Sequence, residues 1–244
     1  MSVIDRKELM LEFIRNNGRF ATVEQLCENL FVSGATVRRD LAELEASRLI
    51  RRTWGGAILL EGSASEDPLV LRENQNVLAK QMIAGAACAH IRDGMTIFLD
   101  SSTTAYALAR QLDRFSSLRV ITNGLKTSWL LSNYRNIAVM CTGGTLRENT
   151  KSLVGQSTLD YIARLNADAA FMSCRGFGVE NGASEASEDE CAIKRLYISN
   201  SRRCYLLSDT TKWNEDYLCR IAPLERFTAV ITENEDVNRR CSRP

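Results

Sequence analysis

Val32-Ser33-Gly34-Ala35-Thr36-Val37-Arg38-Arg39-Asp40-Leu41 decides how the N-terminal part of the chain is read. Ser33 is a good N-cap, and Thr36, Val37, Leu41 and Leu44 continue at helical spacing behind it. The opposite face carries Arg38 and Arg39. A helix that enters a DNA groove needs short polar residues in its first turn, so that backbone and bases come close, and cations on the same exposed face. This stretch supplies both. Ser33, Ala35, Thr36 and Arg39 are the expected groove contacts, Val37 and Leu41 are expected in the core, and Asp40 is expected to orient an arginine. A solvated helix face with two arginines would look the same in isolation, so the flanks decide.

Upstream, Leu9, Met10, Phe13 and Ile14 recur at helical spacing, and Gly18 follows Asn16 and Asn17 as a stop. Thr22-Val23-Glu24-Gln25 then has the form of a capping box, with Leu26 and Leu30 on one face of a short second helix. Downstream, the run from Leu49 to Ile58 reads as two short strands around Gly55-Gly56, with Arg51 and Arg52 as cations of a wing. Helix, helix, helix, hairpin is the order of a winged helix-turn-helix. Its expected DNA-binding residues are Thr22, Ser33, Ala35, Thr36, Arg38, Arg39, Arg51 and Arg52.

The small, polar and acidic stretch at 61–69, which includes a proline, reads as a linker. The expected organisation is a DNA-binding domain over 1–58, a linker over 59–73, an α/β domain over 74–234 and a loose tail over 235–244. After a helix from about Asn74 to Ile91, strands and helices alternate. Strands are expected at Met95–Leu99, Leu118–Thr122, Ile137–Cys141, Ala169–Ser173, Cys204–Ser208 and Phe227–Thr232. Helices are expected at Thr103–Leu112, Leu125–Leu131, Gly155–Leu165 and Glu188–Ser199. Apolar strands separated by helices imply a mainly parallel, Rossmann-like sheet covered on both faces, with ligand chemistry at the carboxyl ends of the strands.

Composition narrows the function classes. Lys plus Arg number 31 against 30 Asp plus Glu, so the net charge of +1 gives no whole-molecule field, and any nucleic-acid function must come from a local patch. The N-terminus is charged and no apolar run reaches the roughly 18 residues of a membrane span, so a cytoplasmic protein without membrane contact is expected. The 8 cysteines are scattered without a C-x-x-C pair and read as reduced thiols, mostly core fillers. His90 is the only histidine, which leaves no parts for a Ser-His-Asp triad or a usual zinc site. No metal, cofactor or catalytic residue is expected.

At the strand ends, Asp100-Ser101-Ser102-Thr103-Thr104 offers hydroxyls and backbone N–H groups at a helix start, a receptive setting for phosphate, although a plain serine cap has the same look. Asn123, Gly143-Gly144 and Asp209 follow further strands, where they read equally as loop punctuation.

The arginine and leucine spacing from Arg6 through Met10 to Ile14, followed by Ser33-x-x-Thr36-Val37-Arg38-Arg39-Asp40-Leu41 and by Trp54-Gly55-Gly56-Ala57, resembles the signature of the DeoR family of bacterial transcription regulators. The likeness runs through nearly the whole chain. It implies an effector domain related in fold to phosphopentose isomerases, a sugar-phosphate effector, double-stranded operator DNA as partner and repression of carbohydrate genes. The family shows Asp-x-Gly-Thr-Thr where this chain has Ser102, so either the loop avoids positive φ or the backbone approaches the ligand less closely. By the same likeness Lys194 and Lys212 contact the sugar phosphate and Asp100, Ser101, Ser102, Thr103 and Thr104 form its phosphate loop, while Asn123, Gly143, Gly144 and Asp209 join the expected effector site through their common location after strands. Arg175 stands where many members keep an Asp; an arginine cannot serve as a proton-transfer base but can bind an anion. That substitution, with no evident acid–base pair, argues against the alternative of a phosphosugar isomerase fused to a DNA-binding module. Paired half-sites call for a homo-oligomer, a dimer or tetramer.

Overall fold

The computed structural model describes residues 3–18, 20–47, 49–59 and 69–241, and the chain divides into two compact units, Met1–Asn74 and Gln75–Pro244. In the first unit, α1 (Val3–Asn16), β1 (Phe20–Thr22), α2 (Val23–Leu30) and α3 (Gly34–Ala46) precede the hairpin of β2 (Ile50–Thr53) and β3 (Gly56–Leu59). The helices form where the caps predict. Thr22 Oγ1 accepts from the Gln25 N–H at 3.1 Å while Gln25 Oε1 accepts from the Thr22 N–H at 2.9 Å, a complete capping box. Ser33 caps α3 through the Thr36 N–H.

Met10, Ile14, Leu26, Val37, Leu41 and Ile50 make the core of this unit, so Val37 and Leu41 lie inside as expected. Asp40 does orient an arginine, but that arginine is Arg6 of α1, bound in a two-bond fork at 2.5 and 3.0 Å. The strand β1 escapes the sequence reading because it is only three residues long; it pairs antiparallel with β3, which makes a three-stranded wing sheet. A methyl group on Gly56 would collide with the Ala21 carbonyl across that pairing. Gly56→Ala is therefore expected to destabilise the unit by about 1 to 3 kcal/mol, the usual range for overpacking, read by chemical denaturation.

The expected linker is corrected in part. Residues 60–68 lie outside the described residues, but α4 (Leu69–Asn74) is helical and closes the first unit.

The second unit runs through α5 (Val77–Cys88), β4 (Thr96–Leu99), α6 (Thr103–Ala109), β5 (Leu118–Thr122), α7 (Leu125–Leu131), β6 (Ile137–Cys141), β7 (Thr145–Arg147), β8 (Ser152–Val154) and α8 (Gln156–Ile162). It continues with β9 (Ala169–Met172), β10 (Gly176–Gly178), β11 (Gly182–Glu185), α9 (Glu188–Ser199), β12 (Cys204–Leu207), β13 (Cys219–Ala222), β14 (Ala229–Ile231) and α10 (Glu235–Cys241). The long helix expected from Asn74 is broken at Asn76, which takes a left-handed φ of 52°. The expected loose tail is also corrected, since 235–241 form α10, whose Asn238 side chain accepts from the Thr232 N–H at 2.8 Å.

Six strands pair in parallel in the order β14-β12-β9-β4-β5-β6. Alternate residues of β4 point to opposite faces: Ile97 and Leu99 join the layer of α5, α6 and α7, while Phe98 packs with Ile193 and Tyr197 of α9. From β4 the chain winds outward through β5 and β6, then returns to β9 on the other side and winds through β12 and β14. The switch point therefore lies between β4 and β9, where a doubly wound sheet opens a crevice at its carboxyl edge.

Candidate functional site

Two sites emerge, one in each unit. On α3, Ala35, Arg38 and Arg39 share the exposed face, and neither arginine forms an ion pair with a described residue. Ser33 and Thr36 form the first turn, their hydroxyls 2.9 Å apart. Thr22, Arg38, Arg52, Thr53 and Trp54 line an open cleft of about 680 Å³ between the wing and the start of α2. Arg51 is exposed on β2. Arg52 is also exposed but is tied to Glu45, whose carboxylate accepts from its backbone N–H at 2.8 Å and from Nε at 2.7 Å. The cationic face thus rests on Arg38, Arg39 and Arg51, with Arg52 held against the end of α3.

At the switch point of the second unit, Asp100 follows β4 and Ser173 follows β9. The Asp100 carboxylate is buried and accepts from the Ser173 N–H at 3.0 Å, the Ser102 N–H at 3.1 Å and the Ser102 hydroxyl at 2.6 Å. Ser102 has a φ of −69°, so the loop needs no glycine at this position, which resolves the departure from the family pattern. Lys194, projected inward by α9 and 4% exposed, pairs with Glu185 and lies 3.5 Å from Asp100. Lys212 donates to Ser173 Oγ at 3.2 Å and lies 3.7 Å from Asp209, itself held by Asn76 and Thr211. Glu190 accepts from Ser152 and, at 3.4 Å, from Ser101, and lies 3.8 Å from Arg147.

Asp100, Ser101, Ser102, Lys194, Asp209 and Lys212 are thus brought together at one sheet edge, with buried Thr103 and Thr104 opening α6 beside them. Asn123 lies behind them, its amide engaged with Tyr197 Oη at 3.4 Å and the Leu153 carbonyl at 3.3 Å. Gly143 and Gly144 form an exposed turn after β6, where the Gly143 carbonyl accepts from Thr158 at 2.7 Å. Arg175 stands outside this hydrogen-bonded network: its guanidinium sits 5.6 Å from the Tyr217 ring centre.

Glu185, Glu190, Ser173 and Ser152 were not expected here. Two buried carboxylates beside a lysine correct the premise that no acid–base pair exists. Glu190 was legible in principle, four residues before Lys194 on one helix face; Glu185 was not, because β11 gives no strand signal.

Charge fixes the protonation states. Burial alone would push the Glu185 carboxyl up, but the Lys194 ammonium outweighs it and holds it below its ordinary value. Burial would likewise lower Lys194, and Glu185, Asp100 and Glu190 raise it instead. For Asp209, burial is overcome by Lys212 and the Thr211 hydroxyl, and its pKa is lowered. Lowered carboxyls stabilise the fold above their unfolded values, and that contribution is lost as pH falls through the folded ones. The raised Lys194 acts oppositely, contributing below its unfolded value of 10.5 and losing that contribution as pH rises through the folded one. Thermal unfolding is therefore expected to show no loss from this cluster between about pH 5 and pH 9, with losses only outside that window. A step near pH 6 to 7 would contradict this assignment.

Residues 6–62 match the DeoR-like helix-turn-helix domain and residues 75–234 the DeoR C terminal sensor domain. The chain is 34% identical to HTH-type transcriptional regulator GolR of Listeria innocua over 96% of this chain and 92% of that protein. It is 34% identical to the uncharacterized HTH-type transcriptional regulator YulB of Bacillus subtilis over 96% of this chain and 90% of that protein. It is 30% identical to the glycerol-3-phosphate regulon repressor of Escherichia coli over 96% of this chain and 92% of that protein. Among solved structures, ribose 5-phosphate isomerase A of Methanocaldococcus jannaschii matches at 18% identity with a TM-score of 0.42, over 57% of this chain and 55% of that one. A recognition helix beside a wing, a switch-point site on a parallel sheet and full-length relatives that are regulators converge: the chain belongs to the DeoR family of helix-turn-helix transcription regulators.

Proposed function

We propose that this regulator is a cytoplasmic repressor of carbohydrate genes that binds operator DNA through α3 and the wing, and releases it when a phosphorylated sugar occupies the switch point of the second unit. The observation that carries the effector assignment is the network running from Lys212 through Ser173 and Asp100 to Lys194 and Glu185. Lys194 is enclosed and neutralised, whereas Lys212 reaches solvent and is the cation placed to meet a phosphate beside Ser101–Thr104. The buried carboxylates suit sugar hydroxyls as hydrogen-bond acceptors.

Binding without turnover fits the electrostatics. A general base for isomerisation works best with a pKa near the operating pH, whereas Lys194 holds Glu185 firmly ionised. Regulation follows from linkage: an effector that binds one arrangement of the assembly better than another shifts DNA affinity by the same coupling, typically ~1 to 3 kcal/mol.

A thermal-shift panel of pentose, hexose and ketose phosphates tests this, because a ligand at 100 times its Kd adds about 2.7 kcal/mol to the native state. Thr103→Ala and Lys212→Ala are each expected to weaken the active compound by roughly ten- to a hundredfold in calorimetric titration, leaving ligand-free DNA binding unchanged. If no phosphorylated sugar binds, the effector assignment fails. If one is converted to product, the enzyme reading replaces it.

A further inference from the structure

The chain passes from the first unit to the second through Gln75 and Asn76, which separate α4 from α5. Nothing local calls for a break there. No glycine or proline occurs between Pro68 and Gly85, and the expected helix runs straight through Asn76. Asn76 nevertheless holds φ 52° and ψ 38°, a left-handed backbone that a Cβ disfavours. What holds it comes from far along the chain. Its Nδ2 donates to Asp209 Oδ1 at 3.0 Å and to Thr211 Oγ1 at 3.2 Å. Buried Lys80 donates to the Gln75 carbonyl at 2.6 Å, where a continuous helix would bring the Ala79 N–H. Asn76 itself is exposed, so turning its backbone unpacks no core.

We propose that Asn76 is a positioning residue that couples the effector site to the DNA-binding unit, its left-handed kink being held by the Asp209–Thr211–Lys212 turn and released when a phosphate draws Lys212 away. Thr211 and Asp209 hold the Asn76 amide, and both belong to the turn that carries Lys212. Lys212 lies 3.7 Å from Asp209, a loose contact that an anion at the switch point competes for. Thr210 is anchored by Glu233, which accepts from its N–H at 3.0 Å, so movement of Lys212 falls on Thr211. Once the amide is free, the right-handed backbone is favoured at Asn76 and α4 and α5 join as one helix. Because Asn76 is the joint between the units, that change reaches the DNA-binding unit through the chain itself. The element thus has two discrete states, as coupling between separated sites requires.

The proposal rests on the reading that a phosphorylated sugar releases DNA, and its test separates the two by including arms without ligand. The full-length protein is titrated onto DNA from the region flanking its own gene, alone and with each pentose, hexose and ketose phosphate of the panel. Asn76→Ala removes the amide and favours the right-handed backbone. Without ligand it is expected to raise the Kd for DNA by about 5- to 150-fold, toward the effector-bound value of wild type. By reciprocity it binds the active sugar phosphate at least as tightly as wild type does, which a merely damaged protein would not. Asn76→Gly accepts the kink without the amide, so it is expected to keep DNA affinity within about threefold of wild type while its response to the sugar phosphate falls below about threefold. An Asn76→Ala protein, folded by circular dichroism, that binds DNA as wild type does overturns the proposal, as does an Asn76→Gly protein that responds fully. A wild-type chain whose DNA affinity ignores every sugar phosphate would instead overturn the effector reading.

Discussion

Replacing Arg38 and Arg39 together with alanine is expected to weaken operator binding by roughly two to four orders of magnitude while leaving the fold intact. Both guanidinium groups stand on the exposed face of α3 and pair with no described residue, so their removal takes nothing from the core. Each well-placed base-edge contact contributes about 1 to 3 kcal/mol and each phosphate contact adds to the salt-dependent part, which sets the scale of the loss. Arg6, although also an arginine of this unit, is bound to buried Asp40 and belongs to the structure. Val37→Asp is the contrasting change. Val37 is wholly enclosed among Met10, Leu26 and Leu41, and an aspartate there puts an unpaired charge into that core. Loss of the first unit's cooperative unfolding, together with loss of DNA binding, is the expected result. Gel-shift affinity read alongside circular dichroism separates the two variants.

Lys194→Ala carries the largest expected effect in the second unit. Its ammonium is the common partner of Glu185 and Asp100, both buried, and alanine leaves those carboxylates facing each other without a cation. Breaking a buried pair from one side typically costs about 3 to 5 kcal/mol, because an uncompensated charge remains. Chemical denaturation should show a loss of that order. Glu185→Gln added to Lys194→Ala should recover part of it, since it removes one of the orphaned charges; a further loss of stability in the double variant would contradict the proposed triad.

What was legible in the sequence was what is local. The caps at Thr22 and Ser33, the α3 faces and the bounds of β5, α7, β6 and α9 all follow from signals within a few residues of each element. The elements that escaped are short and depend on distant partners. Gly176-Phe177-Gly178 and Gly182-Ala183-Ser184-Glu185 have neither apolar alternation nor β-branched residues, yet they pair with each other, and the second also with β13. Because Glu185 lies at the end of that second strand, its place beside Lys194 was hidden with it. The strand ends at Asp100 and Asp209 were readable because apolar runs announce the strands before them. Arg175 does follow β9, as its place in the sequence implies, but the antiparallel sheet that begins there takes its backbone N–H to the Ser184 carbonyl at 2.9 Å and sets its guanidinium over the Tyr217 ring, contacts that no local signal announces.

The most direct measurement is a fluorescence-anisotropy titration of the full-length protein on DNA from the region flanking its own gene, with and without saturating sugar phosphates and their unphosphorylated counterparts. A phosphorylated sugar is predicted to raise the Kd for DNA by about 5- to 150-fold, its unphosphorylated counterpart to leave it unchanged, and Lys212→Ala to abolish the response while retaining DNA affinity. A DNA Kd that stays the same with every phosphorylated sugar, in a protein that binds the DNA, would contradict the account.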